Sequence, residues 1–131
     1  MTDKLIITRT DNSIPILHLK GHLDASTEGI FIDHVRRVKE SGARYLLVDL
    51  GNLDIITSAG LRAFHNGFKL FTPMDEVGKW QKEHPGDMYK SPYFKLANAS
   101  TDVYYVLNLA GFIHNIPIFP TLQEALVSFE K

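Results

Sequence analysis

The chain reads as an α/β protein, one domain in which a mixed, mainly parallel sheet of four to five strands carries about four helices. Three observations point there. The run Leu46-Leu47-Val48-Asp49-Leu50 is apolar but for one Asp, which suits a strand covered on both faces. After Ile55-Ile56 the apolar period changes from strand-like to helical, with Leu61, Phe64, Phe68 and Phe71 spaced by three and four residues. Strand-type and helix-type segments follow one another along the chain, and a strand, a helix and another strand make a crossover unit with parallel pairing and a right-handed connection.

Taken in order, Leu5-Ile6-Ile7 and Ile14-Pro15-Ile16-Leu17-His18-Leu19 are strands joined by the Asp11-Asn12-Ser13 turn, a hairpin at the start of the sheet. Pro15 cannot donate to a ladder, so it belongs at an edge or a bulge where the second strand begins. Asp24 and Ser26 are candidate caps for the first helix, whose Phe31, Val35 and Val38 recur at helical spacing until Ser41-Gly42 ends it. The buried strand Tyr45 to Leu50 then breaks at Gly51-Asn52, a turn pair. A second helix runs from about Ser58 towards Phe71 with one phenylalanine stripe facing the core.

The stretch 72–92 interrupts this rhythm, and against the family resemblance given below it is expected to be an insertion. Thr72-Pro73-Met74-Asp75 reads as a cap followed by Pro at the first helical position, and the short helix it opens runs to about Glu83, ended by His84-Pro85-Gly86. The single tryptophan, Trp80, and Tyr89 lie here, placed either to fold back over the domain or to anchor a partner. The insertion is expected to be dispensable for the fold. Phe94 to Asn98 alternates as a strand, Ser100 or Thr101 caps a helix with Val103, Val106, Leu107 and Ala110, and Gly111 ends it. Ile116-Pro117-Ile118-Phe119 is a short edge strand. Thr121-x-x-Glu124 is a capping box opening a last helix that buries Leu122, Ala125, Leu126 and Phe129.

At 131 residues the chain is one domain's worth, enough to bury a core without disulfides or metal, and it has no cysteine. Met1-Thr2-Asp3-Lys4 leads directly into a strand pattern, and no apolar run approaches the ~20 residues of a membrane span, so no membrane partner and a cytoplasmic location are expected. Fourteen Lys and Arg against 15 Asp and Glu, with the longest basic cluster at Arg36-Arg37-Val38-Lys39 on a helix, argue against nucleic acid.

Catalytic and metal chemistry find no support in the residue spacing. Ser58 and His65 are seven helical residues apart, ~10 Å along the axis, too far for a nucleophile and its base. The segment Ile56-Thr57-Ser58-Ala59-Gly60 lacks the first glycine of a nucleophile elbow, and there is no Gly-rich loop with a Lys for phosphate. Of six histidines, His18 and His22 on one extended strand would be ~13 Å apart and cannot share a metal. Neither an enzyme nor a bound cofactor or metal is expected.

The chemistry of interest gathers at Thr57-Ser58. The first turn of a helix presents unpaired N–H groups and the positive end of its dipole. A hydroxyl there is a plain N-cap, or it can carry a phosphate that the helix end would stabilise.

The order of several short motifs resembles the STAS domain family of bacterial anti-sigma factor antagonists. Asp49-Leu50 followed by Ile55-Ile56-Thr57-Ser58-Ala59-Gly60-Leu61-Arg62 is similar to the family's Asp-Ser-Ser/Thr-Gly-Leu signature, and Gly21-His22-Leu23-Asp24-Ala25 to its Gly-x-Leu-Asp segment. Leu109-Ala110-Gly111-Phe112 resembles its Leu-x-Gly-Leu/Phe helix end, and Pro120 to Leu126 the start of its last helix. Thr57 stands where antagonists usually have Asp, and Ala59 where they often have a second Ser or Thr.

The resemblance implies a STAS-like fold and a phosphoacceptor at Ser58, with Thr57 the alternative. It also implies a partner surface of Asp24, Asp54, Thr57, Ser58, Ala59, Gly60 and Arg62. The implied partners are an anti-sigma factor that is also a serine kinase, bound by the unphosphorylated form, and a serine phosphatase that restores that form. A reading from a different class, a STAS-fold scaffold or small-ligand sensor in which Ser58 is never modified, is favoured by the missing Asp at Thr57.

Overall fold

The computed structural model describes residues 4–11, 13–111 and 114–130; Asn12 of the expected first turn and Phe112 of the helix-end motif lie outside the described residues. Strand β1 (Leu5–Asp11) pairs antiparallel with β2 (Pro15–Leu23), and Pro15 is the first residue of its strand, opposite Asp11. There its missing N–H disturbs the ladder least. Helix α1 (Glu28–Glu40) then leads to β3 (Leu46–Ile56), and α2 (Ser58–Phe71) and α3 (Met74–Glu83) lead to β4 (Phe94–Ala97). Helix α4 (Thr101–Leu109) connects to β5 (Ile118–Phe119), and α5 (Leu122–Ser128) closes the described chain.

The sheet order β1-β2-β3-β4-β5 repeats the chain order, and every pair after the hairpin is parallel. Crossovers that always step the same way put their helices on one face. That face is the main core, where Phe31, Val35 and Val38 of α1, Leu61, Phe64 and Phe68 of α2 and Val103 and Leu107 of α4 pack on Leu46, Val48 and Leu50. Leu47 points the other way, into a smaller core with Ile14, Ile16 and Ala97 under Ala125 of α5 and Phe129 just after it. Alternate residues of one strand thus fill two cores, which is why 46–50 is apolar but for Asp49.

Gly51-Asn52 is not a turn. Strand β3 continues through it to Ile56, and the pairing with β2 shifts register between His18 and Lys20 and again between Gly21 and His22. The extra residues sit on β3 as bulges, the other common reason for a glycine inside a strand. Gly51 is small for a specific reason: a Cβ there would lie 2.5 Å from the Asn98 side-chain nitrogen. The Asn98 amide reaches past it to Asp49, whose carboxylate also accepts the Gly51 N–H.

Two helix starts also differ from the spacing argument. The N-cap of α1 is Thr27, not Asp24 or Ser26, and that of α3 is Pro73, not Thr72. Asp24 folds instead into a turn with its own neighbours, its Oδ1 accepting from the Ser26 N–H and hydroxyl. Thr72 closes α2, and its hydroxyl pairs at 2.8 Å with Ser91 in the interior. The caps of α4 and α5 are as expected, Ser100 accepting from the Val103 N–H and Thr121 from the Glu124 N–H. Lys95, on a strand read as alternating, is buried, with its ammonium 4.2 Å from the Phe129 ring centre and bonded to Ser128.

The stretch 72–92 divides into parts. Helix α3 buries no residue, but Val77 and Trp80 rest against the main core, and Glu76 accepts hydrogen bonds from the Tyr93 hydroxyl at 2.7 Å and the Tyr89 hydroxyl at 3.0 Å. Burial and the Glu76 carboxylate together push the Tyr89 phenol up from its ordinary value. Thr72, Tyr89 and Ser91 are interior residues, so only the middle of the stretch is peripheral. Replacing 74–87 by a Gly/Ser linker is expected to leave a folded domain with a cooperative melt; loss of the native circular dichroism would show α3 to be core.

Candidate functional site

Strands β2 and β3 end together, Leu23 opposite Ile56, and the Leu23 carbonyl accepts the Thr57 N–H at 3.1 Å. The turn from β2 into α1 and the turn from β3 into α2 therefore stand side by side at the carboxyl ends of parallel strands. In open α/β sheets this is where ligands and partners are usually met.

Thr57 is the N-cap of α2 by position, in an extended conformation, but its side chain makes no capping hydrogen bond. Ser58 is the first helical residue, and both side chains are exposed. Of the two roles open to a hydroxyl here, the plain N-cap is not the one the Thr57 side chain fills. Without a cap bond to lose, Ser58→Ala is expected to change stability by less than ~0.5 kcal/mol, as at an ordinary surface position. A thermal-melt shift of several degrees would mean that the hydroxyl bonds the helix end after all. No acidic residue occupies the first turn of α2, so the positive end of the helix is not neutralised there.

Of the residues assigned to the partner surface, Asp54, Thr57, Ser58 and Arg62 are exposed. Arg62 lies one turn along α2 from Ser58, with its guanidinium 4.0 Å from Glu28 of α1. Asp24 stands in the adjoining turn, but its carboxylate is engaged: Lys4 lies 2.9 Å away and Ser26 donates twice. The Ser26 hydrogen bonds, with Lys4, hold its carboxyl well below the usual carboxylate range.

Ala59 and Gly60 are buried and cannot touch a partner. Their part is to let α2 approach: a Cβ on Gly60 would lie 2.7 Å from both the Leu23 carbonyl oxygen and Ile56. The small residues of the motif therefore set where the helix start sits relative to the strand ends. They shape the surface without belonging to it.

One further feature borders Asp54 and was not singled out by spacing. A shallow cleft of about 170 Å³ runs between the end of β3 and α4, lined by Asp54, Ile55, Ile56, Asp102, Val103 and Val106. Ile55 is 46% exposed, and Tyr105 and Leu109 of α4 are more exposed still. The sequence sign is the surplus of apolar residues on α4 beyond those its core stripe requires. Among the described residues no group of three or more His, Asp or Glu side chains is placed to hold a metal, and no helix is long and apolar enough to cross a membrane.

Comparison with known proteins agrees with this geometry. A model of the STAS domain matches residues 6–73, more than half of the 131, and spans the hairpin, both strand ends and all of α2. No curated protein matches the chain. An anti-sigma factor antagonist from Mycobacterium paratuberculosis shares the fold with a TM-score of 0.73 at 19% identity, over 97% of this chain and 95% of that one. An anti-sigma-factor antagonist (STAS) domain protein from Planctomyces limnophilus does so with 0.61 at 18% identity, over 94% and 96%. The Bacillus cell fate determinant SpoIIAA, in its phosphorylated form, gives 0.57 at 15% identity, over 94% and 96%. With the matched segment holding the whole Thr57-Ser58 turn and the fold shared end to end, the chain belongs to the STAS domain family.

Proposed function

We propose that this protein is an anti-sigma factor antagonist-like regulatory module, switched by phosphorylation of Ser58, that binds a kinase-type anti-sigma factor while Ser58 is unmodified. The observation that carries the reading is the exposed Ser58 hydroxyl at the first position of α2, the residue that the sequence resemblance matches to the family's phosphoserine. The existence of a neighbour of this fold in a phosphorylated form is in keeping with it.

Unmodified, the surface of Thr57, Ser58, Arg62 and Asp54 would seat the anti-sigma factor. A phosphate adds ~1.5 to 2 negative charges. The helix end and Arg62 one turn away can stabilise it by only ~1 kcal/mol, so the fold tolerates the charge. A bound partner would have to desolvate it against Asp54 nearby, and it is the complex that fails. A serine phosphatase restores binding. In this cycle Ser58 is a substrate and the chain itself catalyses nothing.

Ser58→Asp is expected to stay folded and to lose the partner kinase in a pull-down from native lysate. Ser58→Ala should stay folded and retain it constitutively, and Thr57→Ala should have the weaker effect. Retention of the same partners by Ser58→Asp, or phosphate mapped to Thr57, overturns the assignment. Thr57 in place of the usual Asp favours the unmodified scaffold reading, and intact mass that stays unchanged after incubation with candidate kinases would establish that reading instead.

A further inference from the structure

The sheet face under α5 carries polar side chains beyond the small core, and three of them form a chain. His18 of β2 and Asp49 of β3 are paired across the parallel ladder, and the His18 Nδ1 lies 2.6 Å from the Asp49 Oδ2. The other ring nitrogen, Nε2, lies 3.0 Å from the hydroxyl of Thr10 on the edge strand β1. Asp49 is buried and is fixed from behind, its Oδ1 accepting the Gly51 N–H at 2.9 Å and the Asn98 amide at 3.2 Å. Asn98 holds this position with a φ of 68°, in the left-handed region. The bulge, the missing Cβ of Gly51 and the Asn98 backbone all serve one carboxylate.

The tautomer follows from the chemistry. An ionised carboxylate only accepts, so the neutral ring places its proton on Nδ1, facing Asp49. Nε2 is then a lone pair, and the Thr10 hydroxyl donates to it. Hydroxyl, imidazole and carboxylate in this order are a nucleophile, its general base and the group that orients the base. The His18 side chain is 28% exposed and Thr10 is exposed, so a small reagent reaches the hydroxyl from solvent.

We propose that Thr10 is a covalent modification site, a nucleophilic hydroxyl that accepts an acyl group from an activated ester or thioester. The Thr10 Oγ bonds to the carbonyl carbon while its proton passes to His18 Nε2. The bond from that carbon to the leaving oxygen or sulfur breaks, and the leaving group takes its electron pair and then the proton from His18. The products are a threonyl ester and a free alcohol, phenol or thiol. His18 acts directly on the reacting hydroxyl, and Asp49 is a positioning residue.

The test uses the full chain and p-nitrophenyl acetate, with acetylation followed by peptide mapping. Thr8 is an internal control: it is exposed on the same strand and paired in register with His18. Acetyl on Thr10 is expected to build on the order of 100-fold faster than on Thr8, the lower range of general-base assistance. His18→Gln should reduce Thr10 to the Thr8 rate, while His34→Gln leaves it unchanged. Asp49→Asn should lower it without altering Thr8, and Asp49→Glu should recover part of it. Equal labelling of Thr10 and Thr8, acetyl found only on His18, or fast labelling of Thr10 in His18→Gln overturns the proposal.

Discussion

Phe64→Ala is expected to lower the unfolding free energy by roughly 3–5 kcal/mol, the range for emptying a buried aromatic position. Phe64 has no exposed surface, and its ring meets Phe31 of α1 edge-on with centroids 5.3 Å apart. It is one of the residues through which α1 and α2 pack on each other above the sheet. Neither helix can close the space without leaving the strands beneath it, so most of the cavity persists. In urea melts the midpoint should fall with the slope unchanged, since the surface exposed on unfolding is nearly the same. A loss no larger than that of Ser58→Ala would mean that α2 presents a different face to the core.

Gly21→Ala should be nearly as damaging, at roughly 2–5 kcal/mol, because two penalties coincide. Gly21 has a φ of +109°, and a Cβ there would collide with the Lys4 carbonyl oxygen. That oxygen accepts the His22 N–H at the start of the hairpin, so it cannot turn aside without opening the β1–β2 ladder. Lys4 also holds Asp24, and its displacement would loosen the turn beside Ser58. Gly29→Ala is the control: nothing lies within 4 Å of its Cβ position in α1, and the substitution should be neutral or stabilising by up to ~1 kcal/mol. Similar melts for the two variants would show the Gly21 backbone to be free to relax.

These two positions mark how far the sequence could be read. Phe64 was legible because helical spacing is a local property, and the whole stripe from Leu61 to Phe71 is interior. The boundaries of α2, and with them the place of Ser58, followed from the same change of period. Gly21 could be seen as part of a motif but not explained, since its reason is the carbonyl of a residue on another strand. Gly51 was misread for the same kind of reason: a turn and a bulge ask for the same residue, and only the second strand decides between them. Ala59 and Gly60 sit inside a surface motif, yet tertiary approach buries them. Ile55 and Asp102 became neighbours only when α4 crossed the end of β3.

Trp80 gives the seating of α3 an experimental consequence. The single tryptophan stacks on His84 at 4.3 Å and meets Tyr89 edge-on at 5.6 Å, on a helix that buries none of its residues. Intrinsic emission from this protein therefore monitors whether α3 is docked, while the far-ultraviolet signal monitors the sheet and the crossover helices. Where the two probes give different midpoints, the earlier fluorescence change is the lifting of one peripheral helix from its tyrosines, and the two-state treatment of the domain beneath it still holds.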